Sequence, residues 1–173
     1  MILIDPDLEP DPSPRGQGPS TRALARFLKQ AQSAVRLRGE VSVLLTTDRA
    51  IRRLNRQYRG NDKATDVLSF PAETFIQNQQ KIAGDLAISV DTARKQGAAR
   101  GHSLATEIKI LILHGLLHLA GYDHESDAGR MARREQLLRA RLGLPQGLIE
   151  RASLRRQSRT SLKARASARS RAS

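Results

Sequence analysis

From Leu104 to Ala120 the chain is apolar at almost every position, yet two histidines, His114 and His118, interrupt it four residues apart. A stripe of apolar residues on one side marks a surface helix. Apolarity on nearly every side (Ile108, Ile110, Leu111, Ile112, Leu113, Leu116, Leu117, Leu119) predicts a helix enclosed by other elements at the centre of the fold. The stretch from Ile108 to Ala120 is too short to cross a bilayer and carries Lys109 as well as the histidines. Residues four apart share a helix face, with Cβ atoms about 5–6 Å apart, so the two imidazoles can aim at one point. Gly121 is the residue type that ends helices in the left-handed conformation. A turn there would bring His124 back toward the pair. Three neutral imidazoles with an open fourth position are the ligand set of a catalytic zinc site. A hydrogen-bonded core histidine is the ordinary alternative, but three of the four histidines fall within eleven residues, the fourth being His102.

The remaining composition narrows the metal chemistry. With no cysteine there are no disulfides and no thiolate ligands, which leaves His, Asp and Glu. The same histidine spacing occurs in the zinc peptidases called metzincins, where a glutamate after the first histidine is the general base. Here that position is Gly115, which has no side chain to take a proton. The ligand spacing is present and the peptidase's base is absent, which favours a different hydrolysis.

Patterning along the rest of the chain predicts an α+β domain with a small mixed sheet of about four strands packed with helices. Met1 to Ile4 reads as a short strand, followed by a Pro/Asp/Gly linker through Pro19. Ser20 or Thr21 caps a helix carrying Leu24, Phe27, Leu28, Ala31 and Val35, ended by Gly39. Val41 to Leu45 reads as a buried strand, and Asp48 opens a helix that ends near Tyr58-Arg59-Gly60. A loop at 61–64 precedes a strand from Thr65 to Phe70, stopped by Pro71. Glu73 to Gln80 reads as a polar, hairpin-like excursion and Lys81 to Val90 as a further strand. Asp91 caps a short helix to about Ala99, and Ser103 begins the central helix. Ser126 or Asp127 starts a last amphipathic helix through Leu142. The division is thus an N-terminal strand and Pro-rich linker (1–20), a metal-dependent hydrolase domain (21–150) and a tail (151–173).

Charge suggests the partner. The net charge is +13, distributed as −4 over residues 1–14, +9 over 15–150 and +8 over 151–173. A basic body points to a polyanion. Three Phe, two Tyr and no Trp leave few platforms for stacking bases, so contact with phosphates is the expectation. The Arg/Ser/Ala-rich tail has only two leucines and is expected to be disordered. The N-terminus has neither a basic n-region nor a long apolar run, so no signal peptide is expected, and the protein is expected to be soluble and cytoplasmic, without a membrane partner.

Three segments carry a resemblance. They are Asn55-Arg56-Gln57-Tyr58-Arg59-Gly60 with Thr65-Asp66-Val67-Leu68-Ser69-Phe70-Pro71, then Gly84-Asp85-Leu86-Ala87-Ile88-Ser89, then His114 to His124. In order and wording they resemble the YbeY family of bacterial metal-dependent endoribonucleases, over roughly residues 21–145. The resemblance implies cleavage of single-stranded RNA, a role in rRNA maturation at the 16S 3′ end and in ribosome quality control, and rRNA and ribosomal particles as partners. It implies one Zn²⁺ per chain held by His114, His118 and His124. It also implies a catalytic role for His114 and for Arg59, the arginine matching one that the family places near the metal cleft. A guanidinium there can hold a phosphodiester oxygen bidentately and stabilise charge on phosphorus.

Four further residues carry open alternatives. Asp85 and Asp66 could each orient a ligand imidazole or cap a turn, with the structural role favoured for Asp66. Asp123, beside a ligand in sequence, could orient a ligand imidazole or be merely a helix-end acid. Lys63 is an RNA-backbone contact or a solvated lysine, the latter being the ordinary case. No general base stands beside the histidines in sequence, so water and the RNA 2′-OH both remain as nucleophiles. The rival function is a zinc-stabilised RNA- or ribosome-binding factor with little catalysis.

Overall fold

A computed structural model of the chain describes residues 1–8, 20–72, 82–123 and 128–146. The elements are β1 (Ile2–Ile4), α1 (Thr21–Val35), β2 (Glu40–Thr46), α2 (Asp48–Arg59), β3 (Val67–Pro71), β4 (Ile82–Ser89), α3 (Val90–Arg100), α4 (Leu104–Leu119) and α5 (Arg130–Arg141). The sheet order is β1-β2-β4-β3. β1 and β4 both run parallel to β2, and β3 runs antiparallel to β4. This is the mixed α+β sheet expected from the sequence.

Helix starts follow the hydroxyl side chains. Ser20, Thr47, Ser89 and Ser103 cap α1 to α4, each accepting a backbone N–H three residues on. Asp48 opens α2 as expected, whereas the cap expected at Asp91 is displaced by two residues, because Ser89 takes the role. α1 ends at Val35 rather than at Gly39. Arg36 adopts the left-handed conformation, and its N–H reaches the Gln32 and Ser33 carbonyls. α5 begins at Arg130 after Gly129 with no side-chain cap. The expected starts at Ser126 and Asp127, the excursion at 73–80, most of the linker and the 151–173 tail lie outside the described residues.

The two faces of the sheet differ. Ile2, Val41, Val43, Leu45, Leu86, Ile88 and Val67 point to one face, where they pack with α1, α4 and α5 in the main core. Ile108, Ile112, Leu113, Leu116 and Leu117 of α4 are fully buried there, as all-round apolarity requires. On the opposite face Leu68 and Ala87 meet only Ile51 and Leu54 of α2 in a small second cluster. α4 thus crosses the inner face of the sheet, with its C-terminal half over β3 and β4, where Ser69 Oγ approaches the Gly115 carbonyl at 3.5 Å.

One polar junction ties the starts of α2 and α3 together beyond the ends of the neighbouring strands β2 and β4. The Asp48 carboxylate accepts from Ser89 Oγ, from Thr92 Oγ1 at 2.7 Å and from Lys95 Nζ at 3.1 Å. Partial burial alone would raise its pKa, but these three donors outweigh it and hold the carboxyl below its ordinary value of 3.8. A depressed carboxyl contributes stability above its unfolded pKa, and that contribution is lost as pH falls through the lower folded value. Asp48→Asn is therefore expected to be less stable than wild type at pH 7, with the difference shrinking below about pH 4. Denaturant midpoints of both proteins at pH 7 and pH 3 measure this, and an equal gap at both would refute it.

Candidate metal centre

His114 and His118 lie on the last two turns of α4 and face each other, with Nε2 atoms 3.2 Å apart and ring centroids 4.8 Å apart at 71°. Two imidazoles on one tetrahedral zinc, each at about 2.0–2.1 Å, would have nitrogens roughly 3.3 Å apart. The pair fits two corners of such a site. Gly121 then turns the chain with φ of 88°. Its N–H reaches the His118 carbonyl at 2.9 Å and the Tyr122 N–H reaches the Leu117 carbonyl at 3.0 Å. The helix end expected at Gly121 is present. His124 lies outside the described residues, and among the described residues no group of three His, Cys, Asp or Glu side chains is placed to hold an ion.

The orienting carboxylate belongs to α5. His114 Nδ1 lies 2.9 Å from Glu135 Oε2. Burial would raise the Glu135 carboxyl, but the His114 hydrogen bond and the Arg139 guanidinium outweigh it and hold it below its ordinary value of 4.5. Arg139 Nε donates to Glu135 Oε1 at 2.9 Å. An ionised carboxylate can only accept, so the bridging proton resides on Nδ1 and leaves Nε2 as the basic nitrogen of His114. Neither Asp85 nor Asp66 plays this part. Asp85 lines a groove with Leu44, Leu54, Tyr58 and Phe70, on the α2 side of the sheet. Asp66 accepts from Val67 N at 2.8 Å and from Gln96 Nε2 at 3.1 Å, the structural role favoured for it. Asp123 is exposed just past the Gly121 turn. Glu135 had one faint mark in the sequence. It is the only acid on a helix with five arginines.

The pair opens into a cleft of about 570 Å³ whose walls include Arg59, Asn61, Lys63, Asp66 and Ser69. Arg59 ends α2 and its Nη2 donates to the Ser69 carbonyl at 3.0 Å. Asn55 Nδ2 donates to the Lys63 carbonyl at 2.8 Å and pins the loop that presents Asn61 and Lys63. Structure thus brings Arg59, Lys63, His114 and His118 to one cleft. Gly115 faces away from it. A Cβ there would lie 2.7 Å from Leu86 Cδ2 and 3.3 Å from Ser69 Oγ, so this position is closed by the sheet and has no room for a peptidase-type glutamate.

A family model described as endoribonuclease YbeY matches residues 18–143. Proteins named endoribonuclease YbeY are similar along most of their length. The one from Koribacter versatilis is 52% identical over 134 residues, covering 78% of this chain and 85% of that one. Solibacter usitatus has one 50% identical over 129 residues, covering 75% and 84%. One from Aquifex aeolicus is 51% identical over 104 residues, covering 59% and 68%. The solution structure of a Thermotoga maritima protein overlaps with a TM-score of 0.48 at 25% identity, covering 78% of this chain and 84% of that one.

Proposed function

Because the chain belongs to the YbeY endoribonuclease family, we propose that it cleaves phosphodiesters of single-stranded RNA at a zinc ion held by His114, His118 and His124. The observation that carries the reading is the facing Nε2 pair, backed by Glu135 and opening into a cleft walled by Arg59 and Lys63. The bound ion would supply Lewis-acid stabilisation of phosphoryl charge and acidify a water toward neutral pH.

The chain's own groups do the rest. Glu135 fixes the His114 tautomer, so the ring presents a lone pair without first losing a proton. Arg59 is anchored through one of its five donors, which limits its motion and leaves the others for an anion. Beside a phosphodiester it would neutralise charge that grows as the bond breaks. Lys63 and Asn61 would hold the flanking backbone. rRNA, including the 16S 3′ end, is the proposed target, in the cytoplasm and with ribosomal particles as partners. No helix among the described residues is long and apolar enough to cross a membrane.

The test is cleavage of a labelled single-stranded RNA by the full chain before chelation, after chelation and after reloading with Zn²⁺. Activity lost and then restored is expected. Metal-dependent RNA binding with no turnover would move the zinc-stabilised binding factor to first place. Equal cleavage of a 2′-deoxy substrate would exclude the 2′-OH as nucleophile. Glu135→Gln is expected to weaken zinc about 10–100-fold, read by competition with a chromophoric chelator. Unchanged affinity would assign Glu135 to packing alone.

A further inference from the structure

β3 closes one end of the sheet order, so one of its long edges has no partner strand among the described residues. In an antiparallel pair, successive residues turn their N–H and C=O alternately toward and away from the neighbour. The bonds from Ser89 N to Asp66 O at 2.9 Å and from Ala72 N to Ala83 O at 3.2 Å fix the phase. With Leu68 opposite Ala87 and Phe70 opposite Asp85, the even-numbered residues face β4. Val67, Ser69 and Pro71 therefore turn their backbone groups to the open edge. Pro71 brings no N–H, and Val67 N donates to Asp66 Oδ1 at 2.8 Å. The Ser69 carbonyl takes Arg59. That leaves the Ser69 N–H, which has no acceptor among the described residues.

Its surroundings make that vacancy informative. Ser69 as a whole residue is only 7% exposed, within a cleft wall. A buried donor left unpaired costs about 1–3 kcal/mol. Its own hydroxyl is turned to the Gly115 carbonyl. Ser69 lines the same cleft as Arg59, His114 and His118. The Arg59 guanidinium, bonded to the carbonyl of this same residue, is held beside the N–H on one edge. A neutral N–H and a cation that converge on one spot select an oxyanion rather than a nucleobase.

We propose that the free edge of β3 is the phosphate-binding element of the cleft, with the Ser69 N–H donating to a non-bridging oxygen of the substrate phosphodiester that Arg59 also holds. This rests on the ribonuclease reading for its substrate but not for its anion. The amide adds direction without charge: it orients the phosphate toward the histidine pair while Arg59 supplies the countercharge.

The direct test is the Ser69 amide resonance of ¹⁵N-labelled full-length protein, titrated with a short 2′-O-methyl single-stranded RNA and, separately, with inorganic phosphate. A downfield move of that amide proton is expected in both. An unmoved Ser69 amide with RNA demonstrably bound overturns the proposal. Kinetics give a second reading by comparing Ser69→Pro with Ser69→Ala, both lacking the hydroxyl. Proline removes the outward N–H at an edge position where it is tolerated. With matched melting temperatures, the proline variant is expected to have at least tenfold lower kcat/KM than the alanine variant, and equal values overturn the proposal. If the wild type neither binds nor cleaves RNA while its Ser69 amide answers phosphate, the anion site stands and the ribonuclease reading falls.

Discussion

An alanine at position 114 is expected to lower single-stranded RNA cleavage by at least about a thousandfold, equivalent to ~4 kcal/mol of transition-state stabilisation, and to strip zinc from the purified protein. Three functions end together in this one substitution. The Nε2 that faces His118 at 3.2 Å disappears. Glu135 loses the donor that helps keep its carboxyl ionised. The cleft wall opposite Arg59 loses its imidazole. The fold should survive, because the His114 side chain is 30% exposed while the helix is anchored by Ile108, Ile112, Leu113 and Leu116. Zinc content by mass spectrometry under native conditions, melting temperature and cleavage should be measured on the same preparation as wild type. Folded, zinc-free and inactive protein is the expected outcome. Equal cleavage by both proteins would trace the activity to a contaminating ribonuclease and leave the histidines structural.

The sequence disclosed this site unevenly, for reasons that are local. Spacing within one helix is fixed by helix geometry, so His114 and His118 could be paired from their numbers alone, and Gly121 could be placed at the turn. Strand runs and apolar faces were equally readable, since period-two alternation reports burial directly. Contacts between elements were not. Glu135 reaches His114 only because α5 packs against α4, and nothing within either helix encodes that approach. The aspartate at 85 looked like the better orienting group, yet strand alternation sends it to the α2 face while its neighbour Leu86 faces α4. Pro71 was readable as the stop of its strand. It is the last residue of β3 and can still belong to the strand, because its missing N–H falls on the open edge, where no ladder bond is lost. The cap of α3 shifted from Asp91 to Ser89 because both residue types can cap and the hydroxyl residue comes first.

Gly84→Ala is expected to be the most destabilising conservative change in the described sheet, costing about 3–5 kcal/mol from backbone strain and overpacking together. Gly84 has φ of 145°, a region open almost only to glycine. An added Cβ would stand 2.4 Å from the Phe70 carbonyl oxygen and 2.8 Å from Leu119 Cδ2. The leucine can rotate away. The carbonyl cannot, because Phe70 is held opposite Asp85 in the β3–β4 ladder. Relief therefore requires β3 to move off β4 or β4 to change its φ, and either shift displaces Ser69 and the Arg59 anchor. A loss of that size is a large fraction of the roughly 5–15 kcal/mol by which domains are stable. Urea midpoints of wild type and Gly84→Ala at pH 7 decide the matter, and a shift worth less than about 1 kcal/mol would mean that the strands accommodate the methyl. The result also bears on how the Gly84-Asp85 pair should be read. The glycine is there for the close approach of two backbones, and it marks the strand pairing that carries the cleft wall rather than a group that touches substrate.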